Sequence, residues 1–180
     1  MPNLPELEER ELLEERELSE APALEGEKLS GYAVKFNVQS HTMRRNGVEF
    51  REVILPGALD YSGRVSFQFR HDDHSEYGDT ETRTLTLTED NVGIKYELNL
   101  PPYAKTLRKY VSEKIVQGMS IGFRAYDAEH KDGVRYIKKA KLEHIAAVIN
   151  PPAYPQTSVD IVTPNRGKMY AMKNIMANLK

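Results

Sequence analysis

The sequence predicts an α+β fold, a small antiparallel β-barrel or curled sheet with a few flanking helices. Short segments in which apolar and polar residues alternate recur along most of the chain, the period-two signature of half-buried strands. Helical spacing stands out within the body between Pro102 and Gly118. A length of 180 residues, 39% hydrophobic and 29% charged, suits one core rather than two. Composition divides the chain into an acidic N-terminal arm (1–28), a body (29–164) and a basic, Met-rich C-terminal helix or tail (165–180).

The arm contains an internal repeat, Leu-Glu-Glu-Arg-Glu-Leu at Leu7–Leu12 and again at Leu13–Leu18. A six-residue step turns a helix by about 600°, so the repeated leucines do not share a helical face. Glu6–Arg10, Arg10–Glu14 and Arg16–Glu20 are still i,i+4 pairs worth a few tenths of a kcal/mol each. The segment therefore reads as a solvated arm or a marginal helix, a propeptide or partner-binding element, closed by the linker Ala21-Pro22-Ala23.

In the body, Tyr32, Val34 and Phe36 alternate, Val48, Phe50 and Val53 nearly do, and Pro56-Gly57 ends that run. Val65, Phe67, Phe69 and His71 share the face of a further strand. Leu85 and Leu87, then Ile94, Tyr96, Leu98 and Leu100, flank Glu89-Asp90-Asn91 as a hairpin. The helix carries Tyr103, Leu107, Tyr110, Val111 and Ile115, with Pro at its start and Gly at its end. Met119, Ile121 and Phe123 then alternate with Ser120, Gly122 and Arg124. Asp132-Gly133 turns into Val134–Ile137 and Leu142–Ile149, and Asn150-Pro151-Pro152 stops that strand. Near the C-terminus Met169, Met172, Ile175, Met176 and Leu179 share one helical face suited to packing or docking.

The absence of cysteine excludes disulfide frameworks, thiolate metal sites and cysteine nucleophiles. Apolar runs such as Ile145–Ile149 fall far short of the ~18 residues of a membrane span. The N-terminus has Glu where a signal peptide needs basic and then apolar residues. A soluble, cytoplasmic protein with no membrane partner is therefore expected. Net charge is −2, but residues 1–27 hold ten Glu against Arg10 and Arg16, a net of −8 that leaves +6 on the rest. Such an arm either solvates the chain or docks on its own body. No dense basic patch interleaved with aromatics is present, which argues against nucleic acid as a partner.

Three segments could carry chemistry. In Arg70-His71-Asp72-Asp73-His74, His71 is expected at the end of a strand, at the rim of the core, where burial and a neighbour can tune its pKa for general-base work. Two His and two Asp also offer hard-metal ligands, and a loop of ordinary polar residues is the plain alternative. Gly118-Met119-Ser120-Ile121-Gly122 matches G-x-S-x-G. The α/β-hydrolase elbow needs a strand before that motif and a helix after it, and here the order is inverted. Small residues beside Ser120 would still let a substrate backbone approach closely. In Leu142-Glu143-His144-Ile145, alternation places His144 with Leu142, Ala146 and Val148, pointing inward as a core histidine or a converging catalytic group. One serine and two inward imidazoles on three strands could form a nucleophile, a base and an orienting group.

These segments, taken in order, resemble the tailed-phage prohead proteases, capsid-maturation serine peptidases whose fold is related to the herpesvirus assemblins. Gly31-Tyr32-Ala33 with Phe36-Asn37 resembles the family's opening strand. Phe50-Arg51-Glu52 through Leu55-Pro56-Gly57-Ala58-Leu59 resembles its E-x-I-x-P-G-A-F segment, and Phe69-Arg70-His71-Asp72 with Tyr77-Gly78 its L-x-x-H-D…L-G block. Leu85-Thr86-Leu87 with Asp90 to Gly93-Ile94 fits the hairpin that follows. Gly118-Met119-Ser120-Ile121-Gly122-Phe123 is close to G-M-S-F-G-F, and Val148 to Pro155 is similar to the closing V-x-x-P-A-Y-P block.

The resemblance implies that Ser120 is the nucleophile and His71 the catalytic histidine. Aligned on Val148, the Glu of the family's L-x-E-V-S-V-V block falls on His144, and shifted by one for the extra proline at 151–152 it falls on Glu143. His144 is the favoured third member, since the assemblins are similar in using a second histidine. Arg124 is the side-chain candidate for the oxyanion, beside a backbone N–H. A serine endopeptidase of Ser-His-His or Ser-His-Glu type is implied, without a cofactor. It should be slow, because a neutral imidazole stabilises a developing imidazolium less than a carboxylate does. Its implied substrates are the scaffolding segment of the major capsid protein and the protease itself, inside the prohead in the cytoplasm of an infected bacterium. The acidic repeat and the basic tail become candidates for self-removal, and a homodimer is compatible. Two rivals stay open at this level, a metal-dependent hydrolase built on His71, Asp72, Asp73 and His74, and a non-enzymatic capsid or scaffold module.

Overall fold

The computed structural model describes the backbone of Glu14–Leu18 and Ala23–Glu25 and the whole of residues 28–149. In chain order the strands are β1 (Glu14–Leu18), β2 (Ala23–Glu25), β3 (Lys28–Lys35), β4 (Met43–Arg45), β5 (Val48–Ile54) and β6 (Leu59–Asp60). They continue as β7 (Ser66–Phe69), β8 (Asp72–Asp79), β9 (Leu85–Glu89) and β10 (Gly93–Asn99). Helix α1 (Lys105–Ser112) then precedes two long strands, β11 (Gly118–Lys131) and β12 (Val134–Val148).

The fold is mostly β. An eight-stranded sheet is organised on β12 and curls into a half-barrel, and a four-stranded sheet runs β2-β3-β10-β9. The expected flanking helices reduce, among the described residues, to α1 alone, and it is not long or apolar enough to cross a membrane. Its apolar spacing is real, since Leu107 and Val111 are buried, but it ends at Ser112 instead of running to Gly118. Lys114 takes a left-handed φ of 57°, and the N–H groups of Ile115 and Val116 turn back to the carbonyl of Tyr110. That closes the last turn and leaves Ile115 partly exposed.

Both hairpins expected from turn residues are present. Asp90 Oδ1 accepts the N–H groups of Val92 and Gly93 between β9 and β10. Asp132 and Gly133 (φ 52° and 75°) join β11 to β12 with the positive φ pair that suits strand twist. Asn46-Gly47, a signal passed over in the sequence, makes the same turn between β4 and β5.

Two features depart from the expected antiparallel pattern. One edge of β12 is shared by three short strands in parallel, β5 against Val134–Ile137, β6 against Ala140 and Lys141, and β7 against residues 144–147. The second is at the N-terminus. Glu14–Leu18 is a strand, paired antiparallel with β11, and not a helix or a solvated arm. Isolated i,i+4 pairs contribute only tenths of a kcal/mol, which edge pairing on a formed sheet outweighs. Ala23–Glu25, the start of which was read as linker, likewise pairs with β3. The first repeat copy, the stop at Asn150-Pro151-Pro152 and the Met-rich helix lie outside the described residues.

The core fills the space between the sheets. Leu29, Val34, Ile94 and Leu98 from the smaller sheet join Phe67, Ile121, Phe123 and Leu142 from the larger. The rings of Phe67 and Tyr96, 5.6 Å apart, bridge the two. Helix α1 closes the end next to the β7–β8 hairpin, where Tyr110 meets Phe69 edge-on at 5.7 Å.

Candidate active site

Three adjacent strands bring Ser120, His144 and His71 together. Ser120 lies on β11, opposite Ala146, and His144 lies on β12, opposite Gly122. His71 is at the tip of the β7–β8 hairpin. There Phe69 pairs with Asp72, leaving Arg70 and His71 as a two-residue loop with φ of 60° and 57°. The sequence placed His71 on the strand face with a turn after it. The turn is instead Arg70-His71 itself, and Asp72–Asp79 is a strand. Left-handed backbone at non-Gly residues costs on the order of 1 kcal/mol each and persists only where the surroundings enforce it. The Arg70 N–H supplies such a restraint, donating to the Ala147 carbonyl at 2.9 Å and pinning the loop to β12.

His71 Nδ1 and His144 Nε2 are 2.7 Å apart, a hydrogen bond between imidazoles whose ring planes cross at 69°. Burial pushes the His71 pKa down to about 4, and the neighbouring His144 pushes in the same direction. Burial also lowers His144, with Glu143 opposing. Both rings are therefore neutral at pH 7, and one N–H is shared between them.

The second glycine of G-x-S-x-G has a role its motif reading missed. A Cβ on Gly122 would fall 2.5 Å from Nε2 and 2.7 Å from Nδ1 of His144, so the imidazole occupies the space a side chain would need. Because residues two apart on a strand share a face, Ser120 sits on that same face, one strand repeat from the imidazole. Ser120 is fully buried, and its Oγ finds no hydrogen-bond partner among the described residues.

A β-bulge sets the aim of His144. Gly122 pairs with His144 but Phe123 pairs with Leu142, leaving Glu143 as the extra residue. Simple alternation placed Leu142 and His144 on one face. The bulge separates them, sending Leu142 into the core beside Phe123 and His144 to the Ser120 side. The Glu143 carboxylate accepts from Arg124 Nε at 3.2 Å and lies 3.9 Å from Lys141 Nζ. Arg124 and Glu143 thus engage each other, while His144 engages His71.

The other members of the His-Asp string point elsewhere. Asp72 accepts the His74 N–H and the Ser75 hydroxyl within its own hairpin, which lowers the Asp72 pKa. Asp73 and His74 are highly exposed. Among the described residues no three His, Asp or Glu converge as a metal ion would require.

A buried serine on the strand face that carries two hydrogen-bonded imidazoles is the kind of arrangement that serine-type acyl transfer requires. Residues 13–173 match the family model of the caudovirus prohead serine proteases, and the chain belongs to that family of phage head maturation proteases. No curated protein and no solved structure matches the chain.

Proposed function

We propose that this protein cleaves the scaffolding segment of the major capsid protein, and itself, with Ser120 as nucleophile, His71 as general base and His144 as the residue that orients His71. The observation that carries this reading is the 2.7 Å imidazole pair formed on the Ser120 face of β11 and β12. With the Nδ1 proton donated to His144, Nε2 of His71 is the basic nitrogen. It takes the Ser120 hydroxyl proton as Oγ bonds to the scissile carbonyl carbon, then returns that proton to the leaving amine. Water repeats the sequence to release the acyl group and regenerate the serine. Arg124 is engaged by Glu143, which favours a backbone N–H as the oxyanion donor. A base held near pKa 4 accepts a proton weakly at pH 7, consistent with a slow enzyme.

The test is intact mass over time for wild type and Ser120→Ala, each incubated with unprocessed capsid protein. Discrete fragments with wild type alone are expected. Equal cleavage by both overturns the serine mechanism, and absence of cleavage by wild type inside assembled proheads would favour a scaffold role.

A further inference from the structure

Strand β11 has two edges, one held by β12 and the other by the chain's own β1. In that second pairing Glu14 lies opposite Phe123, Glu15 opposite Gly122, Arg16 opposite Ile121, Glu17 opposite Ser120 and Leu18 opposite Met119. Directly opposed antiparallel residues lie about 4.5–5.5 Å apart at Cα. The N-terminal segment therefore runs alongside Ser120 where an extended peptide backbone would have to lie. Ser120 meanwhile is 0% exposed, and a nucleophile works only when a substrate carbonyl can reach it.

The repeat supplies an independent observation. Six residues do not fit a helical period, but they are three strand periods. Sliding the chain by six sets Glu8–Leu12 where Glu14–Leu18 stands and leaves the same residue type opposite each of the five β11 positions. A slip by an odd number would lose that match. Charge agrees with docking as well, since residues 1–27 carry −8 against +6 on the remainder.

We propose that the outer edge of β11 is a strand-addition site for extended peptides and that the Leu-Glu-Glu-Arg-Glu-Leu repeat is its tethered occupant, either copy filling the site. This rests on the reading of Ser120 as nucleophile. Main-chain hydrogen bonds supply the affinity in such a site. The tether supplies an effective concentration on the order of millimolar, so the repeat holds the edge without binding tightly. Substrate enters by displacing it, which favours cleavage where capsid protein is concentrated. A cut after Leu18 would turn the tethered competitor into one that diffuses away.

The test uses full-length chains. Proline removes a ladder N–H, and two adjacent prolines make it certain that one lost N–H was a ladder donor. The variants are Arg16→Pro with Glu17→Pro, Arg10→Pro with Glu11→Pro, and all four together. Each pair alone should change kcat/KM on unprocessed capsid protein less than about twofold, because the other copy substitutes. All four should raise it about tenfold or more by removing the tethered competitor, and should strip hydrogen-exchange protection from the β11 amides. Free Leu-Glu-Glu-Arg-Glu-Leu peptide, titrated calorimetrically into the four-proline chain carrying Ser120→Ala, should bind and restore that protection, more weakly as salt rises. Unchanged β11 protection together with no peptide binding overturns the proposal whatever the cleavage assay gives. Full release by either pair alone overturns the equivalence of the copies. Peptide binding in a protein whose Ser120→Ala variant still cleaves upholds the edge site and removes the nucleophile assignment instead.

Discussion

Strand β12 carries a buried polar pair near each of its ends, and the two are built on opposite electrostatic plans. Near its start, Arg135 Nη1 bonds Glu52 Oε2 at 3.1 Å, with Glu52 at 0% and Arg135 at 13% exposure. The Glu52 N–H also donates to Ser40 Oγ, which ties β5 to the segment between β3 and β4. Near its end, His144 bonds His71, and burial keeps both rings neutral. The ion pair holds because parting it would strand a charge in a dry interior. The imidazole pair has no charge to strand, so it can accept a proton and give it back. On the proposed mechanism, the fold places fixed charge away from the reacting groups and withholds it where a proton has to move.

Substitution at the reacting end should have the largest effect. His71→Ala is expected to lower cleavage about 10³-fold or more, with a melting temperature close to wild type, read by initial rates beside thermal melts. At the ionic end the consequence should be reversed. Glu52→Ala is expected to cost about 3–5 kcal/mol in denaturant unfolding while the folded fraction cleaves at the wild-type rate. An activity loss in that folded fraction would break the contrast between the ends.

Gly122→Ala probes the seat of the imidazole. Displacing His144 by about an ångström should cost about 10² in rate, with about 1–3 kcal/mol lost to overpacking. A crystal structure of the variant with His144 unmoved would contradict the account.

The pH dependence is next in size. Both histidines bind protons less readily in the fold than in the unfolded chain, where the usual value is 6.5. Stability should therefore be full above about pH 6.5 and fall as pH drops toward about 4, with cleavage losing its base on the same acid side. Denaturation midpoints from pH 7.5 to 4.5 would check this, and His71→Gln with His144→Gln should flatten the profile. Glu143→Gln should matter least. It removes a half-exposed partner of Arg124, worth less than about 1 kcal/mol, and should leave cleavage within about threefold. A loss matching that of His144→Ala would move the third role to Glu143.

The sequence made the strands legible wherever local chemistry decides them. Asp132-Gly133 and Asp90 announce their hairpins, and Leu107 with Val111 announces the helix. The candidate site was legible as three segments, because Ser120 stands in a glycine frame and the two histidines sit beside apolar runs. What stayed hidden depends on long-range register. No local signal distinguishes Arg70-His71 as a turn from Arg70-His71 as a strand end, since neither residue is Gly or Asn. The bulge at Glu143 is a mismatch between two strands and is written in neither. Gly122 came closest to being found, its motif inviting a question that only the position of His144 answers. The period of six in the arm is likewise visible, but a period that fails the helix also suits a strand, and only the pairing with β11 decides it.

The parallel seam along β12 has a consequence for timing. Residues 66–69 of β7 and residues 144–147 of β12 are neighbours in the sheet though far apart in the chain, so a long loop must close before they meet. The Arg70-His71 loop and the Ser120 strand belong to segments that come earlier, and among the described strands β12 is the one paired with both β7 and β11. The cluster of Ser120, His71 and His144 thus requires β12 to stay paired with both β7 and β11. Its working lifetime is the lifetime of one strand's attachments.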